Sequence, residues 1–205
     1  MKKSPYNKGI SYNASTTRFN GIANQLILPV EIATPDFYPE QKVEHVVALL
    51  DTGATRSAIS KSYADKLGLQ PTSVGSCSGV GGVIREVPLY DVVLHLNERV
   101  RNIKLLVIEA ILHKDDDGGP KNSETGFLIG MDVLGFGDFF TGLYRDEEGK
   151  PCTMFSFRIP SAFEPVDYYQ EVEAFNRRHA EKQARIEFDR SRRTLSPKRK
   201  PKSKR

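Results

Sequence analysis

The sequence predicts a mostly β chain with one or two short helices, then a longer C-terminal helix and a basic tail. Three observations predict it. Apolar runs of strand length recur between turn residues from Leu26 to Ile159. Only brief segments there, Ser60–Leu67 and Asp132–Leu134, read as helical. Beyond Pro160 the pattern changes to helical spacing and then to basic residues.

Residues 1–24 are rich in Ser, Thr, Asn, Gly and Lys and read as a flexible N-terminal arm. The run Leu26 to Ile32 is strand-like, and Pro29 marks it as an edge strand or a strand end. Val43 to Leu50 follows; its last five residues are all apolar, so both faces should be buried. Asp51-Thr52-Gly53-Ala54-Thr55 comes next, then the short helix, which Gly68 should close. Gly75, Gly79, Gly81 and Gly82, flanked by strand-like sequence, predict a hairpin with a flexible tip. Val87–Leu96, Ile103–Ile108 and Phe127–Gly130 read as further strands. Between the last two, Asp115-Asp116-Asp117-Gly118-Gly119 reads as a solvated loop without the alternation of a calcium loop. Asp132 is expected to cap a helix start. Phe139–Tyr144 and Thr153–Ile159 should close the domain as a hairpin. The domain is thus expected over residues 25–160. A helix should cover 161–189, on the spacing of Val166, Tyr169, Val172 and Phe175, and a disordered basic tail 190–205.

A chain of 205 residues fits one domain with tails, and 39% hydrophobic with 27% charged residues is ordinary for a globular protein. The net charge of +4 hides an asymmetry. Nine Lys or Arg and no acid lie from Arg190 to Arg205, whereas the other 189 residues carry 21 basic and 26 acidic side chains. The body is therefore mildly acidic. The tail has two readings: a solubilising segment, or a sequence-nonspecific electrostatic anchor for nucleic acid or another polyanion. No run of eighteen apolar residues exists, so no membrane span is expected. The basic N-terminus lacks the apolar stretch of a secretory signal. Cys77 and Cys152 are too few and too far apart for a disulfide framework or zinc site, which points to a reducing, cytoplasmic setting without metal or cofactor. His45, His95, His113 and His179 show no ligand spacing.

The chemistry is concentrated at Asp51. An apolar strand ends and an Asp stands at its mouth, followed by Thr and by Gly, which permits a tight turn. A carboxylate at the edge of a dry core, with a hydroxyl and N–H groups beside it, suits acid–base work. The glycine-rich hairpin lies some thirty residues on, and Leu128-Ile129-Gly130 about eighty.

Three pieces, Leu50-Asp51-Thr52-Gly53-Ala54-Thr55, Ser78-Gly79-Val80-Gly81-Gly82-Val83 and Leu128-Ile129-Gly130-Met131-Asp132-Val133-Leu134, resemble in order and spacing the retropepsin family of aspartic peptidases, over about residues 25–145. The resemblance implies a closed, mostly antiparallel β-barrel. It implies a catalytic Asp51 supported by Thr52, Gly53, Ala54 and Thr55, with Leu128, Ile129 and Gly130 packed beside that loop. Gly79, Val80, Gly81 and Gly82 would be a flap over a polypeptide substrate. Aspartic peptidases need two carboxylates sharing a proton, and this chain has one Asp-Thr-Gly, so a homodimer is expected to supply the second. Two other readings stand beside peptidase activity: a catalytically silent dimeric module that binds peptides, and a polyanion-binding protein acting through its tail.

Overall fold

Ten strands and two short helices occupy the segment where strand-length apolar runs recur, and a third helix follows. The structure is a computed structural model that describes residues 11–79, 82–161 and 168–195. The chain divides into two compact units, Met1–Ala162 and Phe163–Arg205.

In the first unit the strands are β1 (Asn13–Arg18), β2 (Ile27–Ala33), β3 (Val43–Leu50), β4 (Ala58–Ser60), β5 (Ser73–Gly79), β6 (Gly82–His95), β7 (Ile103–Ala110), β8 (Thr125–Ile129), β9 (Asp138–Arg145) and β10 (Pro151–Ile159). Six of them form a ring in the order β2-β3-β8-β4-β7-β6, closed where Glu31–Ala33 of β2 pairs with Val93–His95 of β6. The expected closed β-barrel is therefore present, mostly antiparallel, with β3–β8 and β4–β7 as parallel pairs. β5 attaches to β6 outside the ring, and β1-β10-β9 form a separate antiparallel sheet.

Closure buries Ile32, Leu94, Val107, Phe127, Ile129 and Phe157 almost completely. At about 25 cal/mol per Å², such side chains supply the main driving force for the fold. β3 shows what a barrel does to an apolar strand. Val46 and Ala48 are buried inside, while Val47, Leu49 and Leu50 are half-buried, so only one face is fully closed. Helix α1 (Lys61–Leu67) follows β4 directly. The Ser60 hydroxyl caps its start by accepting from Tyr63 N–H, and Gly68 ends it at φ +67°. Helix α2 (Met131–Leu134) follows β8.

Several expectations are corrected. β2 is not an edge strand; it pairs with β3 throughout and with β6 over its last three residues, and Pro29 lies in the half paired on one side only. Asn13–Arg18, within the expected arm, forms β1 against β10, because ladder pairing orders a polar strand that has no local apolar pattern. The three-residue β4 has no counterpart in the sequence reading. Asp132 does not cap its own helix, whose start lacks a side-chain cap.

Asp116 is not solvated. It is buried, and its carboxylate accepts the N–H groups of Ser62 (2.9 Å), Leu112 (2.8 Å) and His113 (2.8 Å), tying the loop to the first turn of α1. Burial acts to raise the Asp116 pKa, but the N–H donors of Ser62, His113 and Leu112 outweigh it and hold the carboxyl below the usual aspartate value. A pKa lowered by folding gives stability that is complete above the unfolded value, about pH 4. That stability is lost as pH falls through the folded value. Urea melts from about pH 2 to 6 should show a shallower acid limb for Asp116→Asn than for wild type. Asp116→Ala, which leaves three N–H groups without an acceptor, should lose about 2–4 kcal/mol at neutral pH.

In the second unit α3 (Tyr168–Leu195) carries Val172 and Phe175 at the expected helical spacing, both exposed. It runs six residues into the segment expected to be a disordered tail. Val166 and residues 196–205, with the remaining tail calls, lie outside the described residues, as do Val80 and Gly81 of the expected flap tip.

Candidate functional site

Strands β3 and β8 run parallel and end side by side, with Leu50 opposite Ile129. One chain end leads into Asp51, the other into Gly130. The two exits are laced together. Asp51 N–H donates to Ile129 O at 2.9 Å, and Met131 N–H donates to Ala54 O at 2.8 Å. Within the loop, Ala54 N–H donates to Asp51 O at 3.2 Å and Gly53 N–H donates to Asp51 Oδ1 at 2.8 Å. Asp51 is half-buried, whereas Thr52, Gly53, Thr55 and Arg56 are exposed. The carboxylate thus stands at the rim of the core, oriented by one backbone donor and open on its far side.

Gly130 makes this lacing possible. A Cβ there would lie 2.7 Å from the carbonyl carbon of Arg56 and 2.9 Å from the carbonyl oxygens of Ala54 and Arg56. Only glycine admits so close a backbone approach.

A further brace was not legible in the sequence. The Ser57 hydroxyl accepts Gly130 N–H at 3.1 Å and donates to Asp132 Oδ1 at 2.7 Å. Ser57 N–H reaches both Asp132 carboxylate oxygens, at 3.0 and 2.9 Å. Asp132, singled out as a cap, is instead the acceptor that fixes the end of the Asp51 loop. The contact joins residues 75 apart in sequence, and the local signal was only a Ser heading the apolar pair Ala58-Ile59. Ser57→Ala would strand the buried Gly130 N–H and should cost about 1–3 kcal/mol. Asp132→Ala should cost a similar amount, and the double variant less than the sum, because both remove one network. Thermal or urea melts of the three variants check this.

Beside the loop opens a cleft of about 760 Å³, lined by Gly53–Arg56, by Ser73–Ser78 of β5, and by Leu89, Leu106 and Ile108. A small apolar cluster, Ala58, Leu89 and Ile108, backs it. The hairpin expected as a flap is formed: β5 and β6 pair from Ser73↔Leu89 out to Gly79↔Gly82. Its β5 arm makes one wall of the cleft. Of the expected loop residues, Gly53, Ala54 and Thr55 line the cleft, and Asp51 and Thr52 directly precede them. Leu128, half-buried, and Ile129 and Gly130, both buried, stand beside the loop. Sequence reading missed Arg56, Cys77, Leu89, Leu106 and Ile108 as cleft residues. Among the described residues no three His, Cys, Asp or Glu side chains are grouped to hold a metal, and no helix is long and apolar enough to cross a membrane.

No curated protein matches this chain. Two solved structures resemble it. EIAV protease complexed with the inhibitor HBY-793 is 20% identical, over 55% of this chain and 86% of that one, with a TM-score of 0.37. A retropepsin-like aspartic protease from Rickettsia conorii is 15% identical, over 73% of this chain and 96% of that one, with a TM-score of 0.39. The model of the aspartyl protease family matches residues 40–133, which hold the Asp51 loop, the hairpin and the braced strand β8. Over that segment the chain is an aspartyl-protease-family protein, retropepsin-like in the order of its motifs and in its closed barrel.

Proposed function

We propose that this protein is an aspartic endopeptidase, hydrolysing peptide bonds in extended polypeptide segments with a water activated by two Asp51 carboxylates, one from each chain of a homodimer. One observation carries the reading. Asp51 stands open at the rim of the cleft on a rigidly braced loop, while the neighbouring carboxylate, Asp132, is already occupied by Ser57. A single chain therefore presents one available carboxylate at this loop.

Two such carboxylates brought together cannot both ionise, so they share one proton. The ionised one takes a proton from water, whose oxygen attacks the scissile carbonyl carbon, and the protonated one gives its proton to the carbonyl oxygen. Collapse of the tetrahedral intermediate breaks the C–N bond as the amine takes up a proton. Within this scheme Thr52, exposed beside Asp51, reaches across the two-fold axis to the second loop. Gly53, whose N–H holds Asp51 Oδ1, keeps the carboxylate turned toward the water. The hairpin ending at Gly79 and Gly82, with Val80 and Gly81, lies over an extended substrate and pairs with its backbone as an added strand. The scheme calls on no metal or cofactor. The thiols of Cys77 and Cys152 are free, which fits a reducing compartment such as the cytoplasm.

The test is incubation with a diverse peptide mixture from about pH 4 to 7, with products read by mass spectrometry. Endoproteolytic products that rise and fall with pH, as a proton-sharing pair requires, support the reading. Peptides bound but left whole across that range overturn it in favour of a silent binding module.

A further inference from the structure

The barrel core extends onto the β1-β10-β9 sheet through Phe155 and Phe157 of β10, both buried. Residues directly opposite across a ladder share a face. Phe139, Thr141 and Leu143 of β9 lie opposite Phe157, Phe155 and Thr153, so they stand on the face that elsewhere closes the core. Yet Phe139 is 38% exposed and Leu143 66%; Phe140, on the other face, is 44% exposed and Phe136, just before the strand, 62%. Four large apolar side chains within eight residues are thus left in water, where single exposed ones would need no explanation.

The outer edge of β9 pairs with no strand among the described residues. The opposite edge strand, β1, is polar throughout except for Ala14, a make-up that discourages edge pairing. β9 lacks that protection: from Phe139 to Leu143 it carries no charge.

We propose that β9 is the seam along which two copies of this chain pair, antiparallel and centred on Thr141. The inference rests on the dimeric reading above and names the surface that makes it. Self-complementarity selects a second copy as the occupant. A two-fold seam sets each residue against its own copy at the centre. Centring on Thr141 places Phe139 opposite Leu143 of the second chain, twice over, and brings the acidic strand end at Asp138 toward the basic end at Arg145. Position supports it as well. Only Gly135, Phe136 and Gly137 separate α2 from β9, and each donates its N–H back into α2. Met131 of α2 is bonded to Ala54 of the Asp51 loop. A short, hydrogen-bonded path therefore ties the seam to the carboxylate that must meet its copy.

Sedimentation of the full chain tests the proposal. Wild type should be dimeric. Leu143→Asp, a change at a mostly exposed position, should keep the wild-type circular dichroism and raise the dimer Kd at least about a hundredfold, since each symmetric dimer loses two apolar contacts and gains two buried charges. Thr141→Cys should link residue 141 of one copy to residue 141 of the other under mild oxidation, because opposed Cα atoms in such a ladder lie about 4.5–5.5 Å apart, within disulfide reach. A wild type that stays monomeric at about 100 µM, or a Leu143→Asp chain that dimerises like wild type, overturns the seam. A dimeric Thr141→Cys chain without the 141–141 link overturns its register. Peptide cleavage is read in the same samples. Cleavage by wild type with an unaltered Leu143→Asp dimer removes the seam alone, and a dimer that behaves as stated but cleaves nothing removes only the peptidase reading.

Discussion

Asp51→Asn is expected to lower peptide cleavage at least about a thousandfold while leaving fold and assembly unchanged. The substitution is nearly isosteric, and the amide oxygen still accepts the Gly53 N–H that now reaches Asp51 Oδ1. A structural role for this side chain would therefore survive the change. Proton transfer would not, because the amide neither takes a proton from water nor gives one to the carbonyl oxygen. Cleavage rates on peptides found to be substrates, together with melting curves of both proteins, separate the two. Equal rates would mean that the carboxylate does no chemistry.

Gly130→Ala should produce the largest loss of stability, about 2–4 kcal/mol, or about 5–15 °C in Tm for a domain of this size. The added methyl would meet backbone atoms of Ala54 and Arg56 at 2.7 to 2.9 Å, not the end of a flexible side chain. Relief requires moving the Asp51 loop or β8. Either movement strains the Asp51–Ile129 and Met131–Ala54 hydrogen bonds and the Ser57 brace. Activity should fall further than stability does, because the displaced loop carries the carboxylate. Thermal melts and cleavage rates on the folded fraction check both parts; an unchanged Tm would mean that the loop yields freely.

These two residues were legible in the sequence for a physical reason. A carboxylate at the end of an apolar strand and a glycine at the end of another are local patterns, and their spacing survives in the linear chain. The helix from Ser60 to Gly68 was legible on the same grounds, since its cap and its stop are written in adjacent residues. What the sequence concealed depends on partners distant along the chain. β1 exists because Asn13–Arg18 finds β10 some 140 residues later. Pro29 suggested an edge, but the barrel closes on the part of β2 beyond it. Asp132 and Asp116 each looked like a solvent-facing or capping acid. Their true partners, Ser57 and Ser62 with the Leu112–His113 backbone, are brought to them only by the fold. The apolar residues of β9 were read as one arm of a closing hairpin. That their side chains stay exposed follows from the position of β9 at the sheet edge, which no local pattern records.

The measurement that bears most directly on the central claim is a mixing experiment. Wild type and Asp51→Asn are combined in varied proportions, allowed to exchange subunits, and assayed at constant total protein. If each active centre needs Asp51 from two chains, activity follows the square of the wild-type fraction, and an equal mixture retains about one quarter of full activity. Activity proportional to the wild-type fraction itself, about one half in that mixture, would show that one chain suffices and contradict the shared Asp51 pair.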